Sequence, residues 1–228
     1  MSDTLSFKID GKAVSAKPGQ TILEAADAAG VWIPRLCHLK GLIPHGSCRI
    51  CLVKVNGRPQ AACTMPAAAG MEVENEVAEV QEARKATLEM LFVEGNHFCP
   101  SCEKSGDCEL QALAYRFGIA NPRYPYFFPK RTFDASHPDI FVDLNRCILC
   151  ARCVRASIQQ DGKHVFDFTG RGSHKKLAVD STGGLGASQL VAADQGAKSC
   201  PVGAIVRKGT AFHAPYGTRT YDAKPIGS

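Results

Sequence analysis

Arg146–Ala156 reads RCILCARCVRA, and this stretch decides how the rest of the chain is interpreted. Two residues separate Cys147 from Cys150 and Cys150 from Cys153, and a fourth cysteine, Cys200, stands before a proline later in the chain. Three thiols in close succession with a distant fourth are typical of a site that holds a metal cluster. The sequence therefore predicts that this part of the fold depends on bound metal.

All eleven cysteines and one histidine fall into three sets of four potential ligands. The first set is Cys37, Cys48, Cys51 and Cys63; the second is His97, Cys99, Cys102 and Cys108; the third is Cys147, Cys150, Cys153 and Cys200. Pairing eleven thiols as disulfides would leave one over, and the first residues show no apolar signal-peptide core. Metal binding in a reducing cytoplasm is therefore the favoured interpretation.

The third set has the most specific spacing. Bacterial ferredoxins carry C-x2-C-x2-C-x3-C-P, in which the fourth cysteine ligates the other cluster. Here Ser157 stands at the fourth position, and the second motif survives only as Cys200-Pro201, with its upstream positions at Leu190, Ala193 and Gly196. This pattern predicts a two-cluster ferredoxin-like domain reduced to a single [4Fe–4S] cluster. Zinc ribbons, the alternative, favour two C-x2-C pairs.

The first set reads C-x10-C-x2-C-x11-C, which differs from the plant-type C-x4-C-x2-C spacing. Four cysteines on loops of a small sheet domain favour a [2Fe–2S] cluster, although a four-thiolate zinc site could use the same residues. His38 and His45 lie close by in the chain. Because four thiols suffice, both histidines are predicted to be surface or supporting residues.

The second set reads H-x-C-x2-C-x5-C. One histidine and three cysteines also suit structural zinc, so the spacing alone leaves zinc and a [4Fe–4S] cluster open. His97 is included because the neighbouring three-cysteine loop otherwise lacks a fourth ligand. A neutral imidazole in place of a thiolate leaves a cluster less negative, and we expect that to raise its reduction potential.

Periodicity and turn signals predict an α+β fold. Residues 1–78 are expected to form a small ferredoxin-type, ubiquitin-like domain with a sheet and one helix. Its predicted segments are a hairpin over Leu5–Ala16 turning at Asp10-Gly11, a helix over Ile22–Ala29, a second hairpin from Ile50–Val55 through Asn56-Gly57 to Gln60–Cys63, and a short strand near Met71–Asn75. Thr21 and Glu24 form a capping box, and Gly30 suits the residue after the helix.

Two further domains are predicted, a helical cluster domain over residues 79–130 and a ferredoxin-like domain over residues 131–228. The predicted segments are helices over Val80–Gly95 and Glu109–Phe117, a strand over Ile140–Leu144, a loop and helix over Cys147–Gln159, and a Gly- and Ala-rich loop over Gly183–Gln195. The aromatics of the Asn121–Lys130 segment are expected to cover a neighbouring helix, with covering a cluster or a partner as the alternative. The tail from Arg207 to Ser228 is expected to be disordered or to dock on a partner subunit.

The formal net charge of +5 treats every cysteine as neutral. Eleven metal-bound thiolates would add −11 and three oxidised cluster cores of +2 each would return +6, which brings the sum to 0. The basic residues beside the ligand sets are therefore interpreted as counter-charge to buried anions. These are Arg35, Arg49, Arg146, Arg152 and Arg155. Lys and Arg are spread along the chain rather than gathered in a stripe, which argues against nucleic-acid binding. No apolar run approaches the length of a membrane span.

Glu94–Ala112, EGNHFCPSCEKSGDCELQA, and the opening RCILCARCVRA stretch carry a resemblance over nearly the whole chain. The chain resembles the N-terminal region of the large iron–sulphur subunit of respiratory complex I and the start of [FeFe] hydrogenases. It is most similar to the small diaphorase iron–sulphur subunit of soluble bidirectional NAD-linked [NiFe] hydrogenases. Complex I-type sites usually show H-x3-C, and the shorter H-x-C spacing here fits the hydrogenase subunit.

The resemblance implies a cytoplasmic electron relay with one [2Fe–2S] and two [4Fe–4S] clusters. Its partners would be a flavin subunit that handles NAD(H) and the small and large hydrogenase subunits. The chain itself shows no Gly-rich dinucleotide fingerprint and no paired C-x2-C motifs for a nickel site. We therefore expect no catalytic residue in it. A relay subunit of another NAD-linked complex, such as formate dehydrogenase, and a zinc-stabilised binding protein remain as alternatives.

Overall fold

The computed structural model of the chain describes residues 4–228 and contains helices, short strands and many turns. Internal contacts divide the chain into two units. The first takes residues up to His38, Pro44–Leu88 and Gly227, and the second takes Leu39–Ile43, Glu89–Ile226 and Ser228. The sequence predicted three domains, and that division stays a prediction. None of the helices in residues 4–228 is both long and apolar enough to cross a membrane.

The first unit opens with the predicted hairpin of Leu5–Ile9 (β1) and Lys12–Ala16 (β2). Asp10 and Gly11 both have positive φ, 49° and 78°, as a two-residue type I′ turn requires. The helix Ile22–Ala28 (α1) follows with both halves of the predicted capping box in place. Both sequence predictions are therefore confirmed.

The remaining strands of the first unit are Leu52–Val55 (β3), Arg58–Ala61 (β4) and Glu72–Glu74 (β5). They complete a five-stranded sheet in the order β2-β1-β5-β3-β4, in which β1 and β5 run parallel. Alternate strand residues face α1 and bury a continuous apolar core with it. Cys51 and Cys63 belong to that core, so two residues of the first ligand set are part of the packed interior of this unit.

Ala78–Val93 (α2) is a 16-residue helix, displaced by two residues from its predicted position. Val80 and Leu88 on its predicted apolar face are buried. The same face also buries Arg84, which is 1% exposed and binds backbone carbonyls of the first unit. Spacings of four residues place Val80, Arg84 and Leu88 on one side of the helix.

The second unit contains the remaining short elements. They are Glu109–Arg116 (α3), Phe133–Asp134 (β6), Ile140–Asp143 (β7), Arg152–Gln159 (α4), Phe166–Thr169 (β8), Lys176–Val179 (β9), Gln195–Lys198 (α5), Ile205–Arg207 (β10) and Thr220–Ala223 (α6). Strands β10, β7 and β6 form one antiparallel sheet, and β8 and β9 form a separate hairpin. The hairpin was not predicted, because each strand is only four residues long, although Phe166 and Phe168 alternate on one strand and Leu177 and Val179 on the other.

Close packing fills the place of the second cluster of a two-cluster ferredoxin. Ser157 is 1% exposed and binds the Lys163 carbonyl and the Val165 N–H. A Cβ added to Gly196 would lie 3.2 Å from the Ser157 Cβ, so helices α4 and α5 are in direct contact there. Leu190, at another lost ligand position, is buried in the apolar core. These contacts leave a single ligand set in this part of the unit.

Two expectations for irregular segments need correction. The backbone of the Asn121–Lys130 segment is tied down, since Phe127 N–H binds the Val93 carbonyl, but Phe127 and Phe128 are 65% and 75% exposed. These two rings are held largely in solvent rather than against a helix. The tail is ordered: it forms α6, and Tyr221 N–H binds the Gly106 carbonyl. Docking of the tail on a partner stays a prediction.

Candidate iron–sulphur sites

The first ligand set lies on the loops that flank β3 and β4. The Cys37 N–H donates to the Cys48 sulphur at 3.3 Å. Sulphur-to-sulphur hydrogen bonds link the four residues in the order Cys48, Cys37, Cys63, Cys51. Arg49 has a positive φ of 58°, which turns the loop between Cys48 and Cys51 back on itself. The four sulphurs thus form one connected group.

Electrostatics in the first set favour thiolates. Hydrogen bonds from the Cys48 and Cys63 thiols lower the pKa of Cys37, and the Cys63 thiol lowers the pKa of Cys51 to about 7. The same hydrogen bonds raise the pKa values of Cys48 and Cys63. Two sulphurs of the set are therefore predisposed to lose their protons near neutral pH, which is the form that binds metal.

All four members of the second set line one cavity. Cys99 begins a short 3₁₀ turn, Cys99–Ser101, and Cys108 is the N-cap residue of α3, so two local structures set the spacing of the thiols. Burial raises the pKa of Cys108 to about 12. A thiol of this kind loses its proton when a metal ion binds the sulphur.

His97 has the chemistry of a ligand. Burial, followed by the charges of Arg131 and Arg146, lowers the pKa of His97 to about 4, so the imidazole is neutral at pH 7. One ring nitrogen has a backbone hydrogen bond to Leu91, while Nε2 is buried and has no partner in the described chain. A Cβ on Gly95 would lie 2.5 Å from Nε2, so only glycine leaves room for the ring in this position.

The third set also surrounds a single cavity, which lies in the second unit and is lined by all four of its cysteines. Leu149 and Ala151 have positive φ values of 54° and 59°, and these turns aim the cysteines of the loop inward before α4 begins. Burial raises the pKa of Cys147 to about 11 and the pKa of Cys150 to about 12. These thiols, like that of Cys108, would lose their protons when a metal ion binds.

Unpartnered polar atoms mark all three sites. In residues 4–228, four buried side-chain nitrogen or oxygen atoms lack a hydrogen-bond partner, and they are His38 Nδ1, His97 Nε2, Arg152 Nε and Ser199 Oγ. One belongs to a predicted ligand, and each of the others is adjacent in sequence to a predicted ligand cysteine. Buried polar groups normally have a hydrogen-bond or ligand partner, so each of these atoms is able to interact with a group bound at its set. The donor sets and their surroundings therefore fit iron–sulphur clusters.

Each set also has a buried or partly buried arginine beside it. Arg84 interacts with Cys51, Arg146 with Cys102, and Arg152 with Cys150 and Cys200. Arg146 and Arg152 were expected as counter-charge from the sequence, whereas Arg84 was missed. The spacing of Arg84 from Val80 and Leu88 could have revealed it.

The other predicted counter-charges differ in their placement. Arg35 binds Asp27, and Arg155 is 9% exposed and donates to the Ile43 carbonyl. Arg49 is near enough to Cys51 to lower the pKa of that thiol, after larger contributions from other groups. Arg49 therefore acts directly on a predicted ligand.

The second and third sets are neighbours in the second unit. The Glu109 N–H, next to Cys108, donates to the carbonyl of Pro201, next to Cys200, at 2.9 Å. A Cβ on Gly203 would lie 3.0 Å from the Cys102 sulphur, so the chain that follows Cys200 forms a wall of the second site. The sequence offered no signal for this proximity, because it depends on tertiary packing.

Three family models match the chain in order. They are a 2Fe-2S iron-sulfur cluster binding domain over residues 2–77, the NADH-ubiquinone oxidoreductase-G iron-sulfur binding region over 84–123, and a 4Fe-4S single cluster domain over 140–206. With the α+β fold and the three ligand sets, they define the class: an iron–sulphur protein with both [2Fe–2S]-type and [4Fe–4S]-type domains.

The particular family is shown by a relative that matches this chain over nearly the whole length of both proteins. The chain is 38% identical over 226 residues to the NAD-reducing hydrogenase HoxS subunit gamma of Cupriavidus necator, covering 98% of this chain and 95% of the relative. The chain therefore belongs to the family of NAD-reducing hydrogenase gamma subunits. This finding confirms the resemblance that the cysteine motifs indicated.

Two further relatives are consistent with this assignment. A chain in the crystal structure of NAD+-reducing [NiFe]-hydrogenase in the H2-reduced state matches with a TM-score of 0.95 and 48% identity, covering 98% of this chain and 95% of that chain. The NADH-ubiquinone oxidoreductase 78 kDa subunit of Candida albicans is 35% identical over 210 residues, which span 90% of this chain and 29% of the relative. The α+β fold class is confirmed.

Proposed function

We propose that this chain is the electron-transfer subunit of a cytoplasmic NAD-reducing hydrogenase complex. It relays single electrons through one [2Fe–2S] and two [4Fe–4S] clusters, between a flavin subunit that binds NAD(H) and the small and large subunits of a [NiFe] hydrogenase. The observation that carries the proposal is the assembly of three four-ligand sets, each accompanied by a buried polar atom without a partner.

The ligand assignments follow the sets. The residues that would hold [2Fe–2S] are Cys37, Cys48, Cys51 and Cys63; those for the first [4Fe–4S] are His97, Cys99, Cys102 and Cys108; those for the second are Cys147, Cys150, Cys153 and Cys200. Bound clusters supply one-electron oxidation and reduction, which no side chain of this protein offers. No residue of this chain is assigned a catalytic role.

The residues of the chain would bind the clusters, orient them and shield them from water. Two buried arginines, Arg84 and Arg152, and the partly buried Arg146 place fixed positive charge beside the thiolates, and this charge offsets the cost of burying anions. Apolar walls such as Val202 and Ile205 exclude water from the third set, and a lower local dielectric strengthens the effect of each nearby charge.

Two alternatives predict different metal contents. A relay subunit of an NAD-linked formate dehydrogenase would use the same clusters, but its complex would lack nickel. A zinc-stabilised binding protein would contain zinc and be colourless. The 95% coverage of a hydrogenase gamma subunit favours the hydrogenase over both.

Metal analysis of the natively purified complex tests the proposal. We expect iron and acid-labile sulphide on this chain, nickel in the complex, and EPR signals from one [2Fe–2S] and two [4Fe–4S] clusters after reduction. Zinc in place of iron, or a complex without nickel, would contradict the relay or its hydrogenase partner respectively.

Replacing His97→Cys tests that ligand separately. A thiolate in place of a neutral imidazole makes the site more negative, so its midpoint potential in an EPR redox titration should fall. His38→Cys is the matched control, because His38 is a buried histidine next to a ligand but outside every set. An unchanged midpoint in His97→Cys would remove His97 from the ligand set.

A further inference from the structure

Arg152 is one of the most deeply buried charged residues of the second unit. It begins α4 between Cys150 and Cys153 and is 3% exposed. Its two terminal nitrogens donate to the two carboxylate oxygens of Glu109 at 2.6 and 2.7 Å. Glu109 directly follows Cys108 of the second set, so this ion pair links the loops of both [4Fe–4S]-type sites. Bidentate pairing fixes the orientation of the guanidinium plane.

The third guanidinium nitrogen of Arg152, Nε, takes no part in this ion pair. Arg152 Nε is buried and has no hydrogen-bond partner in the described chain. Leaving a buried donor unsatisfied is costly, and more so for a charged group. Burial opposes the charge of Arg152, yet the Glu109 carboxylate and the Cys150 and Cys200 sulphurs raise its pKa above the usual value. Arg152 and Glu109 also line one cavity of the second unit together with Cys200 of the third set.

Arg146 provides a contrast within the same unit. Its Nε donates to Asp143 at 3.0 Å, and its Nη1 is paired with Glu103. Arg146 precedes Cys147 of the third set in sequence, but its side chain lines the cavity of the second set. Both arginines bring positive charge to a site, yet only Arg152 has a buried N–H group without an acceptor.

We propose that Arg152 Nε–H donates a hydrogen bond to a sulphur of the cluster held by the third set, with Glu109 fixing the direction of that bond. The inference rests on the proposed function, since it requires a cluster at this set. It makes Arg152 a positioning residue that raises the reduction potential of this cluster. Reduction adds negative charge to cluster sulphurs, so a hydrogen bond to them strengthens in the reduced state.

The experiment compares Arg152→Lys with Arg146→Lys in the natively purified complex. Both variants keep a positive charge, but Arg152→Lys removes the unpaired Nε–H while Glu109 retains a cation to bind. For Arg152→Lys we expect the third-set cluster to lose one exchangeable-proton coupling in ENDOR spectra. We also expect its reduction equilibrium to weaken about tenfold, which is about 59 mV for one electron. Arg146→Lys should leave that proton coupling unchanged.

An unchanged proton coupling and midpoint in Arg152→Lys would overturn the inference. If Arg152→Lys fails to assemble, the unaltered complex labelled with 15N at arginine Nε decides: a 15N coupling at the third-set cluster supports the inference, and its absence overturns it. A wild-type complex with no third-set cluster signal would instead show that the proposed function itself is wrong. The two failures are thus distinguishable.

Discussion

The first and second ligand sets are built on opposite principles. Two cysteines of the first set, Cys51 and Cys63, belong to the apolar core between a five-stranded sheet and α1. The second set lies on a loop, residues 96–108, in which Gly106 is the only buried residue. Polar contacts hold this loop: Asn96 to Asn145, Glu103 to Arg146, and the tail at Gly106. The first site is thus part of a core, and the second is supported from outside.

The difference between the two sites shows which of them needs bound metal in order to fold. Apolar burial stabilises the first unit whether or not a cluster is present. A loop without apolar burial cannot offset the entropy of ordering its backbone, about 1–2 kcal/mol per residue. At structural metal sites the binding free energy, of order 10 kcal/mol, becomes folding free energy. Folding of the second site therefore depends on its cluster far more than folding of the first site does.

Iron removal should give the largest effect. After chelation we expect residues 96–108 to lose their protection from hydrogen exchange, while the β1–β5 sheet of the first unit keeps most of its protection. Hydrogen exchange followed by mass spectrometry measures both regions in one sample. Equal loss of protection in both regions would contradict the comparison.

Gly95→Ala should produce a large effect confined to the second site. The added methyl would lie 2.5 Å from His97 Nε2, so the imidazole must leave its position. We expect the EPR signal of the second-set cluster to disappear while the [2Fe–2S] signal stays. The matched control is Glu94→Ala, because the Glu94 side chain is exposed beside the same turn. Retention of all signals in Gly95→Ala would argue against His97 as a ligand.

The sequence predicted local features well and tertiary features poorly. The turn at Asp10-Gly11, the capping box at Thr21 and the helix after Cys108 follow from local chemistry, and all three are present. The burial of Arg84 and the pairing of Glu109 with Arg152 were not predicted. Such pairs join segments distant in the chain, so no local pattern encodes them.

The candidate ligand residues stood out in the sequence for a different reason, and their assignment stays a prediction. Iron–sulphur sites need several thiols at restricted spacings, and cysteine is otherwise uncommon, so the spacing itself carries the information. The aromatic segment was less predictable, because Phe127 and Phe128 are apolar yet exposed. Apolar content alone does not say whether a side chain packs on its own chain.

Arg84→Met should have an intermediate effect, on the stability of the first unit. Arg84 donates to the Leu52 carbonyl and to both oxygens of Asn75, and methionine would leave these buried acceptors without donors. We expect a loss of about 3 kcal/mol in the free energy of unfolding. Urea titration followed by fluorescence of Trp32, the single tryptophan, measures it. Lys85→Met, one position on, should change stability by no more than about 0.5 kcal/mol.

The smallest effect concerns the contact between the tail and the second-set loop. Burial, and then the charge of Glu109, raise the pKa of Tyr221 to about 12, compared with about 10 for a free tyrosine. Between pH 10 and 12 a released tail therefore loses the Tyr221 proton more readily than the docked tail does. By linkage, docking is fully favoured below pH 10 and weakens as the pH rises through 12.

Tyr221→Phe separates this titration from general alkaline damage, because phenylalanine keeps the ring and has no proton to lose. The tyrosinate absorbance of wild type minus that of Tyr221→Phe should show one group titrating near pH 12. Cleavage of the tail in limited proteolysis should rise between pH 10 and 12 in wild type and not in the variant. A difference titration centred near pH 10 would mean that Tyr221 is solvated and that the tail does not support the second site.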